Sequence, residues 1–292
     1  MKLNMISTAA FALTLTSSAY GQYWVSAATG NDTNVCTRTS PCKTFQRALN
    51  IAGPWSSIGV LDPGDYGPAT ISEAVTIDGG GLAATVTTSG TSITVQAPAG
   101  AVVQLRNLSL HGNGASVGIS YVSGAQLLVE NVKVNGYGGN CIFDTSAGDM
   151  VVQDSTIDNC SGAGIWASSG ANLAFVEVVN SRVHFANTAV YVSGLITATI
   201  SGSSLSGTSA RSAPYGVVVG GNYITQVMID NCQISNFGYG VYANVGFIQM
   251  SRSALTYAAI GSSGSGTTIW SNGNNSLFFV SPGGITQTVP LQ

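Results

Sequence analysis

Few side chains in this sequence can do acid–base chemistry, and they are thinly spread. Lys and Arg number 9, Asp and Glu 12 and His 2 among 292 residues. Hydrolysis of a glycosidic bond ordinarily uses two carboxylates at a defined separation. A β-eliminating lyase needs several carboxylates around calcium together with a basic Arg or Lys. Neither set is legible here. The candidates for acid–base work are Asp144, Asp158, Arg182 and His184, with Asp149 and Arg211 as further turn-borne groups. Together with Lys133, the trio Asp158, Arg182 and His184 could form an anion or acid–base site around a histidine that titrates near neutrality. The competing account is a solvated face of alternating charges. Trp166, Tyr191 and Tyr242 offer a second chemistry, as rings on which sugars could stack, with Asp144, Ser168, Ser193 and Asn244 beside them for hydroxyls. The competing account there is a small satellite core beneath the loop at 206–216. No metal-ligand spacing and no cofactor motif is legible.

What would position these groups is an internal repeat. The segments LRNLSL, VENVKV, VQDSTI, VVNSRV, ISGSSL, IDNCQI and MSRSAL align without gaps at steps of about 20 to 29 residues, the range of stacked units that share one core. Their third residues are Asn107, Asn131, Asp154, Asn180, Gly202, Asn231 and Arg252, with Asn272 as an eighth. Most of these tolerate a left-handed backbone, so each marks a sharp corner. Two before the corner stand Leu105, Val129, Val152, Val178, Ile200, Ile229 and Met250; three after it stand Leu110, Val134, Ile157, Val183, Leu205, Ile234 and Leu255. Apolar columns with polar residues between them describe two short strands flanking a turn. A third strand precedes them, as GISYVSG, NCIFDTSAG, GIWASSG, AVYVSG, GVVVGG and GVYANVG. Its inward residues are expected to be Ile119/Tyr121, Cys141/Phe143, Ile165/Ala167, Val190/Val192, Val217/Val219 and Val241/Ala243. Ile142 and Asp144 then face outward with Trp166, Tyr191 and Tyr242. The expected fold is all-β: a right-handed parallel β-helix of three strands per coil and about 9–10 coils.

The chain ends fit this plan. Residues 1–21 read as a signal peptide, with Lys2, an apolar stretch from Met5 to Leu15, and Ala19 and Gly21 before the cut. Residues 22–57 supply an N-terminal strand or loop and a capping helix, and 58–292 the β-helix and its C-terminal end. Ser40 and Pro41 are expected to start that helix, with Phe45, Ala48, Leu49 and Ala52 on its buried face and Gly53 at its end. Loss of Lys2 takes the formal charge from −3 to about −4, which does not attract nucleic acid. No later segment is apolar enough to span a bilayer. Export to an oxidising place, extracellular or periplasmic, makes Cys36–Cys42 an expected disulfide. Cys141 and Cys160 could pair between neighbouring coils or stay as buried thiols, and Cys232 is left over.

CKTFQRALNIAG followed by VLDPGDYGP resembles the opening of pectin-lyase-like right-handed β-helix proteins, in which a capping helix precedes a hydrophobic strand and a PG-x-Y turn. With the coils, the resemblance spans roughly residues 23–280. It implies the fold, and it implies that any activity would use the outer face of the strand preceding the corner pair. That superfamily includes lyases, hydrolases, esterases and epimerases, and fold alone selects none of them. The expected function is a secreted protein contacting polysaccharide or a cell-surface glycan through Trp166, Tyr191, Tyr242, Asp144 and Asn244, without catalysis. Two alternatives stand beside it: a polysaccharide lyase or glycoside hydrolase acting on the outer face, and a structural or adhesive rod.

Overall fold

The computed structural model describes residues 21–170, 172–208, 213–221, 225–263, 267–280 and 284–288. The expected leader (save Gly21) and Arg211 lie outside the described residues.

The corners generate the fold. Asn107, Asn131, Asp154, Asn180, Asn231 and Arg252 take φ between 48° and 56°, and Gly202 takes 58°. This left-handed bend costs an ordinary L-residue roughly 1–2 kcal/mol, and Gly, Asn and Asp adopt it most readily. Repeated once per coil, it returns the chain to the strand below in parallel register. Three parallel sheets result, holding twelve, ten and nine strands. Strands before the corner form the twelve-stranded sheet, strands after it the ten-stranded sheet, and the third strand of each coil the nine-stranded sheet. The molecule is a right-handed parallel β-helix, and both expected apolar columns run down its interior. Leu105, Val129, Val152, Val178 and Ile200 lie in direct register and are wholly buried. So do Leu110, Val134, Ile157, Val183 and Leu205. Each such side chain stabilises the rod by about 1.5–3 kcal/mol of apolar burial.

The backbone next to each corner needs partners that the ladders alone do not supply. Serines one residue past the corner provide them. The Ser155 N–H donates to Ser181 Oγ at 3.1 Å, and the Ser181 N–H to Ser203 Oγ at 3.1 Å. Each hydroxyl in turn donates to a carbonyl two residues back, at 2.8 Å for Ser155, Ser181 and Ser203. Cys232 occupies the same position as a buried free thiol, and its N–H donates to Ser253 Oγ at 3.1 Å. Stacked amides carry the lower coils: Asn131 Nδ2 donates to Asn107 Oδ1 at 2.6 Å, and Asn107 Nδ2 to Asp78 Oδ1 at 2.7 Å. Asn272 departs from expectation. The bend passes to Gly273 (φ 76°), because the turn there lengthens and Asn274 and Asn275 accept the N–H groups of Arg252 and Ser253.

At the N-terminal end, the strand Gln22–Val25 joins the twelve-stranded sheet and the helix Phe45–Ile51 buries Phe45 and Ala48. The helix starts later than Ser40–Pro41, because Cys42 is held extended against the first strand through its N–H to Trp24 O. Thr44 is the cap, and Asp32 accepts the N–H groups of Lys43 and Thr44 at 2.8 and 3.0 Å. In the PG-x-Y turn, the buried Tyr66 donates to Asp62 Oδ1 at 2.7 Å, and Asp62 also accepts the Ala27 N–H at 2.7 Å. That network ties the turn to the first strand. Cys36–Cys42 is bonded as expected, and Cys141–Cys160 bridges neighbouring coils.

If the left-handed corner sets the register, Asn180→Val lowers stability by about 1–2 kcal/mol, and Asn180→Gly costs much less. Urea unfolding midpoints of the two variants measure the difference.

Candidate functional site

The outer face of the nine-stranded sheet carries an aromatic column. Ser120, Phe143, Trp166, Tyr191, Val218 and Tyr242 stand in direct cross-coil register. Trp166 and Tyr191 stack with centroids 4.0 Å apart and planes at 24°, and Phe143 lies 6.3 Å from Trp166 at 56°. Across Val218, Tyr242 joins Tyr215 and Tyr239 in a cluster with centroids 5.1 to 5.8 Å apart. Such contacts add about 0.5–1.5 kcal/mol per pair, so the column also clamps coils together. Because Trp166 and Tyr191 cover each other's faces, what solvent meets is mainly ring edges and phenol hydroxyls. Asn244 is exposed just past its strand and accepts from Ser263 Oγ at 2.9 Å.

The sequence reading assigned the wrong faces in one coil. Ile142 and Asp144 point inward and Phe143 outward, the reverse of expectation. Cys141 stands one place before the inward residues of this strand. It takes the place filled by the strand residues Gly118, Gly164, Ala189 and Gly216 in other coils, and it is bonded to Cys160. Ile142 therefore takes the first interior position, in register with Ile119 and Ile165. Asp144 follows between Tyr121 and Ala167 and is only 2% exposed. Its Oδ1 accepts the Ser146 N–H at 2.8 Å. Burial outweighs the Ser146 hydrogen bonds and pushes its pKa up to about 7. Asp144 cannot offer an oxygen to a sugar on the outer face.

Asp144 is the one Asp, Glu, Lys, Arg or His within the strands of the nine-stranded sheet. With it inside, those strands present no charge outward. Phe143, Tyr215 and Tyr239 escaped sequence reasoning. The first is masked because alternation counted from Cys141 runs one residue out of register; the two tyrosines precede Gly216 and Gly240, strand residues buried together with the residue that follows, so that simple alternation fails.

On the ten-stranded sheet, Asp158 and His184 face outward in direct register, and Arg182 shares a strand with His184. Lys133 and Arg182 flank Thr156 from either side. Burial lowers the His184 pKa, Arg182 lowers it further, and Asp158 opposes them. His184 Nε2 and Asp158 Oδ1 are shielded from solvent and find no hydrogen-bond partner among the described residues. The four residues are neighbours, without a salt bridge among them. Asp149 stands elsewhere, on the outer face of the twelve-stranded sheet, where its Oδ1 accepts the Phe175 N–H at 3.0 Å. Among the described residues no group of three or more His, Cys, Asp or Glu is placed to hold a metal ion. No described helix is long and apolar enough to cross a membrane.

Comparison with known proteins agrees with this architecture. The family model of the right-handed β-helix region matches residues 69–210. No curated protein matches the chain in sequence. Among the solved structures that match, two share its fold at low identity. A rhamnogalacturonan lyase superposes with a TM-score of 0.65 at 12% identity, over 93% of this chain and 85% of the other. The pectate lyase Pel9A superposes at 0.60 and 13% identity, over 84% and 78%. At these identities the likeness is one of fold.

The buried Asp144 should make stability depend on pH. An unfolded Asp144 ionises near 3.8 and the folded one near 7, so the folded state binds the extra proton between those values. Stability is therefore full below about pH 4, falls as pH rises toward 7, and loses on the order of a few kcal/mol. Asp144→Asn keeps the acceptor for Ser146 and should flatten this part of the profile; urea midpoints across the range test it.

Proposed function

We propose that this chain, a right-handed parallel β-helix of the pectin-lyase-like kind, is an exported glycan-binding protein that contacts a polysaccharide without cleaving it. The observation that carries the reading is the in-register aromatic column on a face whose strands present no outward charge. A row of half-exposed rings with phenol and serine hydroxyls suits the mixed apolar and hydroxylated surface of a sugar chain. Cleavage is poorly served on the same face. Elimination needs a base and a cation, hydrolysis needs two carboxylates, and the one carboxylate expected there lies in the core. Two disulfide bridges suit an oxidising compartment, and the fold neighbours include proteins named as a pectate lyase and a rhamnogalacturonan lyase. An uncharged face points to neutral sugars in preference to polyuronates.

A glycan array with the purified mature chain identifies a ligand, and tryptophan fluorescence then follows its titration. Trp166→Ala and Tyr242→Ala are each expected to weaken binding by about tenfold, the scale of one lost aromatic contact, with far-UV circular dichroism confirming that the coils persist. Asp144→Asn should leave affinity unchanged at pH 5. Release of saccharide products by the wild-type chain, abolished in any acidic-residue variant, would overturn the non-catalytic reading.

A further inference from the structure

A second outward face, on the twelve-stranded sheet, is hollowed. Short Thr197 and Thr199 lie in register between Phe175 and Glu177 on one side and Gln226 and Met228 on the other. The taller neighbours leave a trough over the threonines. Two cavities of about 300 and 270 Å³ meet there, both walled by Thr197 and Thr199. The first holds Asp149, Glu177 and Phe175; the second continues past Met228 and Gln249 to Trp270. The trough crosses seven strands, from the one bearing Gln126 to the one bearing Trp270, a length of about 29 Å at about 4.8 Å per strand.

Its chemistry is specific. Phe175 is 50% exposed and Met228 48%, a large apolar outlay for a sheet face. Phe247 and Trp270 meet at 58° with centroids 6.2 Å apart, so neither ring covers the other's face as Tyr191 covers Trp166. The Trp270 indole N–H has no acceptor among the described residues. Asp149 and Glu177 sit on adjacent strands two residues out of register, about 8 Å apart along the backbone. Among the described residues no Lys, Arg or His lines the trough. The one base in the strands of this sheet, Arg106, is engaged by Glu130 at 2.8 Å. The unneutralised pair repels a polyuronate and attracts a cation.

We infer that this trough binds a hexosamine chain carrying free, protonated amino groups. Asp149 and Glu177 receive ammonium groups, Phe175 and Trp270 take the C–H faces of sugar rings, and Thr197, Gln226 and Gln249 meet hydroxyls. The inference rests on the reading of the protein as glycan-binding, and it uses a different face and names the ligand class.

Calorimetric titration of the full mature chain with a glucosamine hexamer and an N-acetylglucosamine hexamer, at pH 6 and low salt, tests it. Wild type should favour the glucosamine hexamer by about tenfold, the sum of two partly exposed ion pairs. Asp149→Asn/Glu177→Gln should erase that preference and leave affinity for the N-acetylated hexamer unchanged. Absence of a preference in wild type, or its survival in the double variant, overturns the inference. Trp166→Ala separates the two faces. A preference lost only in the double variant, and insensitive to Trp166→Ala, supports the trough on its own; binding lost in Trp166→Ala without any charge preference sinks the trough and leaves the other face standing.

Discussion

The structure depends on a hydrogen-bonding problem solved at one place per coil. A chain that folds back on itself every few residues must bend sharply, and the bend interrupts the ladder of backbone bonds. The left-handed residue makes the bend, and the serine after it accepts the N–H that the ladder would leave bare, as in the run Ser155, Ser181 and Ser203. Where Asn107 and Asn131 stack, side-chain amides do related work outside the rod. An unpaired buried N–H costs roughly 1–3 kcal/mol, so a rod of many coils cannot leave one at each corner. The corners are therefore the most constrained positions in the molecule, although they contribute little apolar area.

Once the corners hold, side chains distant in sequence become vertical columns, and each column acquires a single chemistry. Inward columns are aliphatic and supply most of the stability. Outward columns differ from sheet to sheet. The nine-stranded sheet presents stacked aromatics and no outward charge, the ten-stranded sheet a histidine among Asp158, Arg182 and Lys133, and the twelve-stranded sheet a trough with two carboxylates. A rod with three such faces separates binding from folding, because outward substitutions leave the inner columns in place.

One coil shows how coupled the positions are. The bridge from Cys141 to Cys160 joins adjacent coils, and Cys141 stands where other coils carry a small strand residue. The following residues keep the register of the coils on either side, so Ile142 and Asp144 face inward and Phe143 outward. The result is a ring in the outer column and a carboxyl group in the core beside Tyr121, its pKa pushed up to about 7 by burial. Because side chains alternate with period two, an alignment one residue out exchanges the inside and the outside of the strand together.

Much was legible in the sequence. The seven corner residues, the two inward columns, the parallel three-sheet plan, the helix at the N-terminal end and the Cys36–Cys42 bond follow from periodicity, from the residues that accept a left-handed backbone and from cysteine spacing, all of which act locally. The direction of Asp144, the aromatic neighbours Phe143, Tyr215 and Tyr239, the Cys141–Cys160 bond and the trough over Thr197 and Thr199 were decided by tertiary structure alone. They depend on which residue of one coil lies above which residue of the next, and coil length varies too much for that register to be counted along the chain. A hollow arises only when short side chains fall between tall ones on neighbouring strands, a relation that exists in space and has no counterpart in linear order.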